Sequence, residues 1–210
     1  MTDDLKKYER MKADPQYKDL FRQSETFKLL DTTDERIQNT DSYGLKYESP
    51  FHYLIVDPVE DITGRVFGYE RFMSKKGIGV ATVPMFQGKF VLMKQYRHAI
   101  RDYQYSFVRG FGEPGLTPKQ NALKEVLEEL GGIVTKVPIY LGTVAPDAGM
   151  TPDRVEVYLV ELDQIGYLQK EEGIQDVLLL SEKEMDAMIA DDKLEDGITL
   201  SSYLYWKVRK

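Results

Sequence analysis

Residues 110 to 132 read Gly-Phe-Gly-Glu-Pro-Gly-Leu-Thr-Pro-Lys-Gln-Asn-Ala-Leu-Lys-Glu-Val-Leu-Glu-Glu-Leu-Gly-Gly, and they hold the densest chemistry in the chain. Glu125, Glu128 and Glu129 stand at i, i+3 and i+4, so on a helix they share one side. Like charges stacked this way repel. A chain tolerates them where the face is solvated, which is the ordinary case, or where a cation neutralises them. Hard divalent cations such as Mg2+ take carboxylate oxygens and share themselves with substrate phosphates.

The surrounding residues predict the element that carries this cluster. Gly110, Gly112, Pro114 and Gly115 make a loop that cannot be regular structure. Thr117 is an N-cap with Pro118 at the first helical position, and Gly131 or Gly132 ends the helix.

This segment resembles the Nudix box, G-x5-E-x7-R-E-U-x-E-E-x-G-U, where U is a bulky apolar residue. Gly110 matches the opening glycine, and Glu125, Val126, Glu128, Glu129 and Gly131 match the E-U-x-E-E-x-G core in register. Leu116 stands where the box has its first glutamate, Lys124 where it has arginine, and Gly132 at the final apolar position. In the family the first glutamate and the arginine support loop and helix geometry, while the later glutamates hold metal. The resemblance therefore implies an intact metal-binding half, Glu125, Glu128 and Glu129 with Mg2+ (or Mn2+), beside an altered supporting half.

The resemblance extends over roughly residues 50 to 207 and points to the ADP-ribose pyrophosphatase group. Val91-Leu92-Met93-Lys94-Gln95-Tyr96-Arg97-His98 resembles that group's V-L-x-x-Q-Y-R-H strand, whose arginine reaches substrate phosphate; Arg97 is the corresponding residue, and a guanidinium fork suits a pyrophosphate. Ala145-Pro146-Asp147-Ala148-Gly149-Met150-Thr151 resembles the Y-P-S-P-G-F-S/T loop, with Ala148 in place of the second proline. Tyr105-Ser106-Phe107-Val108-Arg109-Gly110 stands where the group often has W-E-L-P-A-G, so Ser106 removes a carboxylate and Arg109 adds a cation. Arg109 is a second candidate for substrate binding; the alternative is a pair with the loop acid Glu113. In the same group a glutamate from a late loop orients or deprotonates the attacking water. Glu171 and Glu172 in Lys170-Glu171-Glu172-Gly173 are both eligible, with Glu129 as a further catalytic candidate.

The expected activity is metal-dependent hydrolysis of the pyrophosphate bond in a nucleoside diphosphate derivative such as ADP-ribose or another nucleotide-sugar, water attacking phosphorus. The alternative is a catalytically weak Nudix-like module that binds a nucleotide-sugar as a sensor or structural part, favoured by Leu116 and Ser106.

Composition bounds the rest. The chain has 210 residues, 42% hydrophobic and 30% charged, an ordinary soluble balance. A net charge of −7 argues against a general nucleic-acid binder. With no cysteine there is no thiolate metal site, and His52 and His98 alone leave little room for zinc. No apolar run reaches membrane length and the N-terminus does not read as a signal peptide, so a cytoplasmic protein with no membrane partner is expected.

Charged residues interspersed with Leu5, Tyr8, Met11, Tyr17, Leu20 and Phe21 predict one or two short helices before residue 24. Residues 25 to 47 read as a connection. Phe51–Val56 and Gly64–Phe72 read as a hairpin with its loop between. Gly77–Phe86 and Lys89–Tyr96 read as a second hairpin turning at Gln87-Gly88. Strands at 103–108, 137–144, 154–162 and 177–180 follow, then a helix capped by Ser181 with Glu184 and a last helix from Thr199.

This order indicates an α+β domain. The resemblance specifies the Nudix fold, a mixed sheet with helices on both faces. The expected division is an N-terminal helical extension and linker at 1–47, a β-hairpin at 48–75, and the Nudix domain at 76–210. A homodimer is expected through the hairpin, because the resembling group often dimerises through its N-terminal strands and the hairpin's apolar residues need a cover.

Overall fold

The structure is a computed structural model and describes residues 1–38 and 40–210. The chain forms two compact units, residues 1–75 with 147–153, and residues 76–146 with 154–210.

The first unit is a helix on an antiparallel sheet. Helix α1 (Asp3–Ala13) starts on the Thr2 cap and buries Leu5, Tyr8 and Met11, the i, i+3, i+6 face of the predicted helix. A 3-10 helix (Pro15–Phe21) follows. Strands β1 (Phe27–Leu29), β2 (Gly44–Glu48) and β4 (Val66–Ser74) all pair with β3 (His52–Asp61).

Three readings change here. Residues 25–47 are not only a connection, since they carry β1 and the start of β2; Asn39 in that segment lies outside the described residues. β2 runs across positions 47 and 48, where the sequence reading divides extension from hairpin. Asp57–Asp61 continues β3 instead of forming the hairpin loop. Pro58 is tolerated inside β3 because it falls between the residues paired to β2 and those paired to β1, where no ladder bond needs its missing N–H on that edge.

Side chains alternate across β3. Tyr53, Ile55 and Asp57 face α1, where Ile55 and Met73 pack on Tyr8 and Met11. The Tyr8 hydroxyl donates to Asp57 at 2.7 Å and Arg71 to both Asp57 oxygens at 2.5 and 3.0 Å, so the buried carboxylate is fully partnered. Residues 147–153 join this unit through Tyr69 Oη to the Gly149 carbonyl at 2.7 Å and the Phe72 amide to the Met150 carbonyl at 3.0 Å.

The second unit is built on a mixed sheet. Strands β5 (Gly79–Phe86) and β6 (Lys89–Arg97) join through Gln87-Gly88 with φ of 51° and 75°, the two positive values that a tight hairpin turn requires. Only Met85, Phe86, Lys89 and Phe90 pair across it. Beyond them the strands part. β5 lies parallel to β10 (Val155–Leu162) and takes the short β8 (Arg109–Gly110) on its other side. β6 lies between β7 (Asp102–Ser106) and β11 (Ile174–Leu180). β9 (Ile139–Val144) completes the sheet beside β10.

Alternation along these strands builds two cores. Val80, Val91, Met93, Tyr158 and Val160 meet Ala122, Val126 and Leu130 of α2 (Pro118–Leu130). Ala81, Val83, Phe90, Leu92 and Val157 meet Met185 of α3 (Glu182–Ala190) and Tyr203 of α4 (Gly197–Arg209). The expected helices on both faces of a mixed sheet are thus present. No helix among the described residues is long and apolar enough to cross a membrane.

Candidate active site

Helix α2 is held at both ends as its sequence requires. Thr117 and Gln120 form a reciprocal capping box, Pro118 opens the helix, and Gly131 closes it in the left-handed conformation at φ 56°. The buried Asn121 donates to the Phe111 carbonyl at 2.6 Å, which fixes the loop onto the helix.

The three glutamates on this helix do not share one environment. Glu129 is 3% exposed, and its Oε2 is buried with no hydrogen-bond partner. Burial, then the charges of Glu125 and Glu172, push it up to about 8, against the opposing influence of Arg97 and the Arg109 backbone. Glu125 is half-buried, and burial pushes it up to about 7. Its carboxyl lies over Gly110, where an added Cβ would stand 2.1 Å from it, so a side chain at 110 would displace the carboxylate from this position.

Glu128 is exposed and paired to Lys124 at 2.6 Å. Among the described residues no three His, Asp or Glu side chains gather closely enough to hold a metal ion. The expected three-glutamate cluster is therefore a pair, with its third member drawn off by Lys124.

The pair fits a hard divalent cation in its donor chemistry. Two carboxylates destabilised by burial, one with an orphaned oxygen, gain most from a cation that replaces water. A surface ion pair such as Lys124–Glu128 holds by only about 0–1 kcal/mol, so it is a weak restraint on Glu128 as a third ligand.

Arg97, at the end of β6, is half-buried. Its Nη2 donates to the Ser106 hydroxyl at 2.9 Å, and its Nε is buried without a partner. Burial and the neighbouring Arg109 lower its pKa, while Asp196, Glu129 and Glu172 act the other way. This guanidinium thus lies among three acids and has spare donors.

Arg109 is engaged elsewhere than the sequence suggests. Its Nη1 sits 2.7 Å from Asp196, which is 6% exposed, and not on Glu113. Glu113 pairs with Lys124 at 3.1 Å. Of the two expectations for Arg109, the pair with Glu113 is absent; as a candidate for substrate binding it has its Nη1 held by a buried acid.

Glu171 and Glu172 lie on a short 3-10 turn (Lys170–Glu172) whose end is tied to β6. Gln95 Nε2 donates to the Glu172 carbonyl at 3.0 Å, and the Tyr96 amide to the Gly173 carbonyl at 2.9 Å. Glu172 contributes charge at Glu125, Glu129 and Arg97, whereas Glu171 does not figure among the main influences on any of them. Leu116, where the box has its first glutamate, is 37% exposed in a turn closed by its amide on the Glu113 carbonyl.

Asp196 is a site neighbour that only a local pattern in the sequence marks. Its signal was the Asp-x-x-Thr spacing of a helix cap, since Asp196 caps α4 through Thr199.

A family model of the NUDIX domain matches residues 75–197. No curated protein matches the sequence. A solved structure described as the crystal structure of an ADP compounds hydrolase is similar in fold, with a TM-score of 0.71 at 15% identity, covering 89% of this chain and 95% of that one. The matched segment takes in more than half of the 210 residues and the whole of α2 with its preceding loop, and by that match the chain belongs to the NUDIX family.

Proposed function

We propose that this chain hydrolyses the pyrophosphate bond of a nucleoside diphosphate derivative, ADP-ribose or another nucleotide-sugar, in a reaction dependent on Mg2+ or Mn2+. The observation that carries this reading is the pair of half-buried Glu125 and buried Glu129 on the box helix, with Glu129 Oε2 unpartnered. The fold similarity to an ADP compounds hydrolase agrees with the substrate class.

Glu125 and Glu129 would hold the cation, joined by Glu128 on leaving Lys124. A divalent cation bound there would neutralise pyrophosphate oxygens and lower the pKa of a bound water. Arg97 would grip a phosphate with its free donors, since a guanidinium fork matches phosphate geometry. Glu172 is the candidate base for the attacking water, because its turn is anchored on β6 and its charge reaches the glutamate pair. The Arg109 backbone lies beside Glu129 and favours its charged form, while the Arg109 side chain is held by Asp196.

The test is monophosphate release across a panel of nucleoside diphosphate derivatives with Mg2+ or Mn2+, with and without chelator. Cation-dependent release of two monophosphates from at least one compound is expected. Tight binding with no turnover would instead favour a nucleotide-sugar sensor, and turnover in excess chelator would remove the metal role.

A further inference from the structure

We propose that Asp196 and Thr199, at the N-terminus of α4, are positioning residues that set the geometry of Glu125 and Glu129 by clamping residues 107–110. The inference rests on the proposed function in one respect, that this glutamate pair takes a divalent cation.

The clamp is a closed set of buried polar contacts. Asp196 Oδ2 accepts from the Thr199 amide at 2.9 Å and from its hydroxyl at 2.6 Å. The Thr199 hydroxyl oxygen in turn accepts from the Phe107 amide at 3.0 Å. The other Asp196 oxygen, Oδ1, takes Arg109 Nη1 at 2.7 Å. An N-cap needs only one carboxylate oxygen. Asp196 uses its second to reach a residue 87 positions earlier in the sequence, and both Asp196 and Thr199 are buried, at 6% and 1% exposure.

The clamped segment is short and carries the site. β8 is two residues long and pairs only with Val80 and Ala81. Within it the Arg109 backbone lies close enough to the Glu129 carboxylate to favour its charged form. The next residue, Gly110, is the floor under the Glu125 carboxyl. Just before it, Ser106 receives Arg97. Any shift of residues 107–110 moves the backbone beside Glu129 and the floor beneath Glu125. On the β5 side the segment is held by β8 and by the Thr82 amide and hydroxyl, which donate to the Val108 carbonyl at 2.9 and 3.3 Å; on the other side the Asp196–Thr199 network holds it, and a buried network with every member satisfied is rigid.

Neither Asp196 nor Thr199 touches the cation or substrate in this scheme; both act through Phe107 and Arg109. Supporting contacts of this kind are worth about 10- to 100-fold in metal affinity.

The test is Mn2+ titration of the metal-free, full-length protein without substrate, read by the free-Mn2+ electron paramagnetic resonance signal. Thr199→Val removes the bridging hydroxyl at nearly constant shape and should weaken Mn2+ binding about tenfold. Thr199→Ser retains the hydroxyl and should restore wild-type affinity, a recovery that loss of packing alone does not produce. Asp196→Asn keeps a cap acceptor but removes the charge on Arg109 and should weaken binding like Thr199→Val; it serves if the valine variant fails to fold. Wild-type Mn2+ affinity in folded Thr199→Val or Asp196→Asn overturns the clamp alone. Absence of Mn2+ binding in the wild type overturns the metal reading and the clamp with it.

Discussion

Lys124, on the box helix, pairs with Glu113 across the loop that precedes it, at 3.1 Å. Glu113 lies three residues ahead of Leu116, the position where the box has its first glutamate. The contact between loop acid and helix cation therefore survives the loss of that glutamate, with the acid displaced along the loop. The same lysine takes Glu128 at 2.6 Å, so one cation braces the loop and restrains a candidate metal ligand.

From this it follows that Leu116→Glu should change little. Leu116 is exposed enough to accept an acid, and Lys124 already has two. Turnover within about twofold of wild type is expected, given how little an exposed pair contributes. Glu113→Gln should matter more, because it releases Lys124 to Glu128 alone; a higher Mn2+ concentration for half-maximal rate is the signature. A large gain in rate from Leu116→Glu would show instead that the brace is broken in the natural chain.

The glutamate pair makes a signed prediction for stability. An ordinary glutamate titrates near 4.5, but burial holds Glu125 at about 7 and Glu129 at about 8. Between those values the folded chain keeps protons that the unfolded chain has lost. Stability is then full below about 4.5 and falls as pH rises through 7 and 8. Scanning calorimetry in chelator should show Tm declining from pH 5.5 to 8.5. Mn2+ should raise Tm more at pH 8.5 than at pH 6, where protons compete for the same oxygens. A Tm flat across this range would contradict the burial of charge at this pair.

Glu129→Gln separates stability from activity. The amide removes a charge that burial disfavours, so in chelator at pH 8 the variant should melt above the wild type, by about 2 °C or more. It should lose most of its turnover, since an amide is a poor substitute for a carboxylate toward a hard cation. Undiminished turnover would dismiss Glu129 as a ligand.

Local chemistry made much of this legible. Thr117-Pro118 and Gly131 bound α2, Gln87-Gly88 turns the hairpin, and Ser181 with Glu184 caps α3, each by short-range hydrogen bonding or backbone freedom. What stayed hidden depends on distant partners. β1 and β2 are short strands that exist because β3 offers them an edge; Phe27-Lys28-Leu29 and Gly44-Leu45-Lys46-Tyr47-Glu48 alternate over too few residues to announce a strand. Asp196 meets Arg109 only after folding, and nothing near either residue names the other. Glu128 reads as equivalent to Glu125 until Lys124, one turn earlier, claims it.

A homodimer through the sheet of the first unit is proposed. α1 covers the face with Tyr53 and Ile55, while Tyr47, Leu54 and Phe72 lie directly across from one another on the other face. Tyr47 is 59% exposed and Phe72 37%. We expect a homodimer by light scattering at micromolar concentration, and Phe72→Ser with Tyr47→Ser should shift it towards monomer. A monomeric mass for the wild type would remove the proposal.

The two loop acids can be told apart by kinetics. Glu172 influences Glu125, Glu129 and Arg97, and its backbone is pinned by Gln95. Glu171 is exposed on the same turn with no such connection. Glu172→Gln should lower kcat with little change in KM, because a base acts in the transition state more than in binding. Glu171→Gln should stay close to wild type. A loss confined to Glu171→Gln would mean that the turn rearranges around substrate, exchanging the two acids. If both variants and the double variant keep the full rate, the base belongs to the box helix, and Glu128, released from Lys124, becomes the residue to replace next.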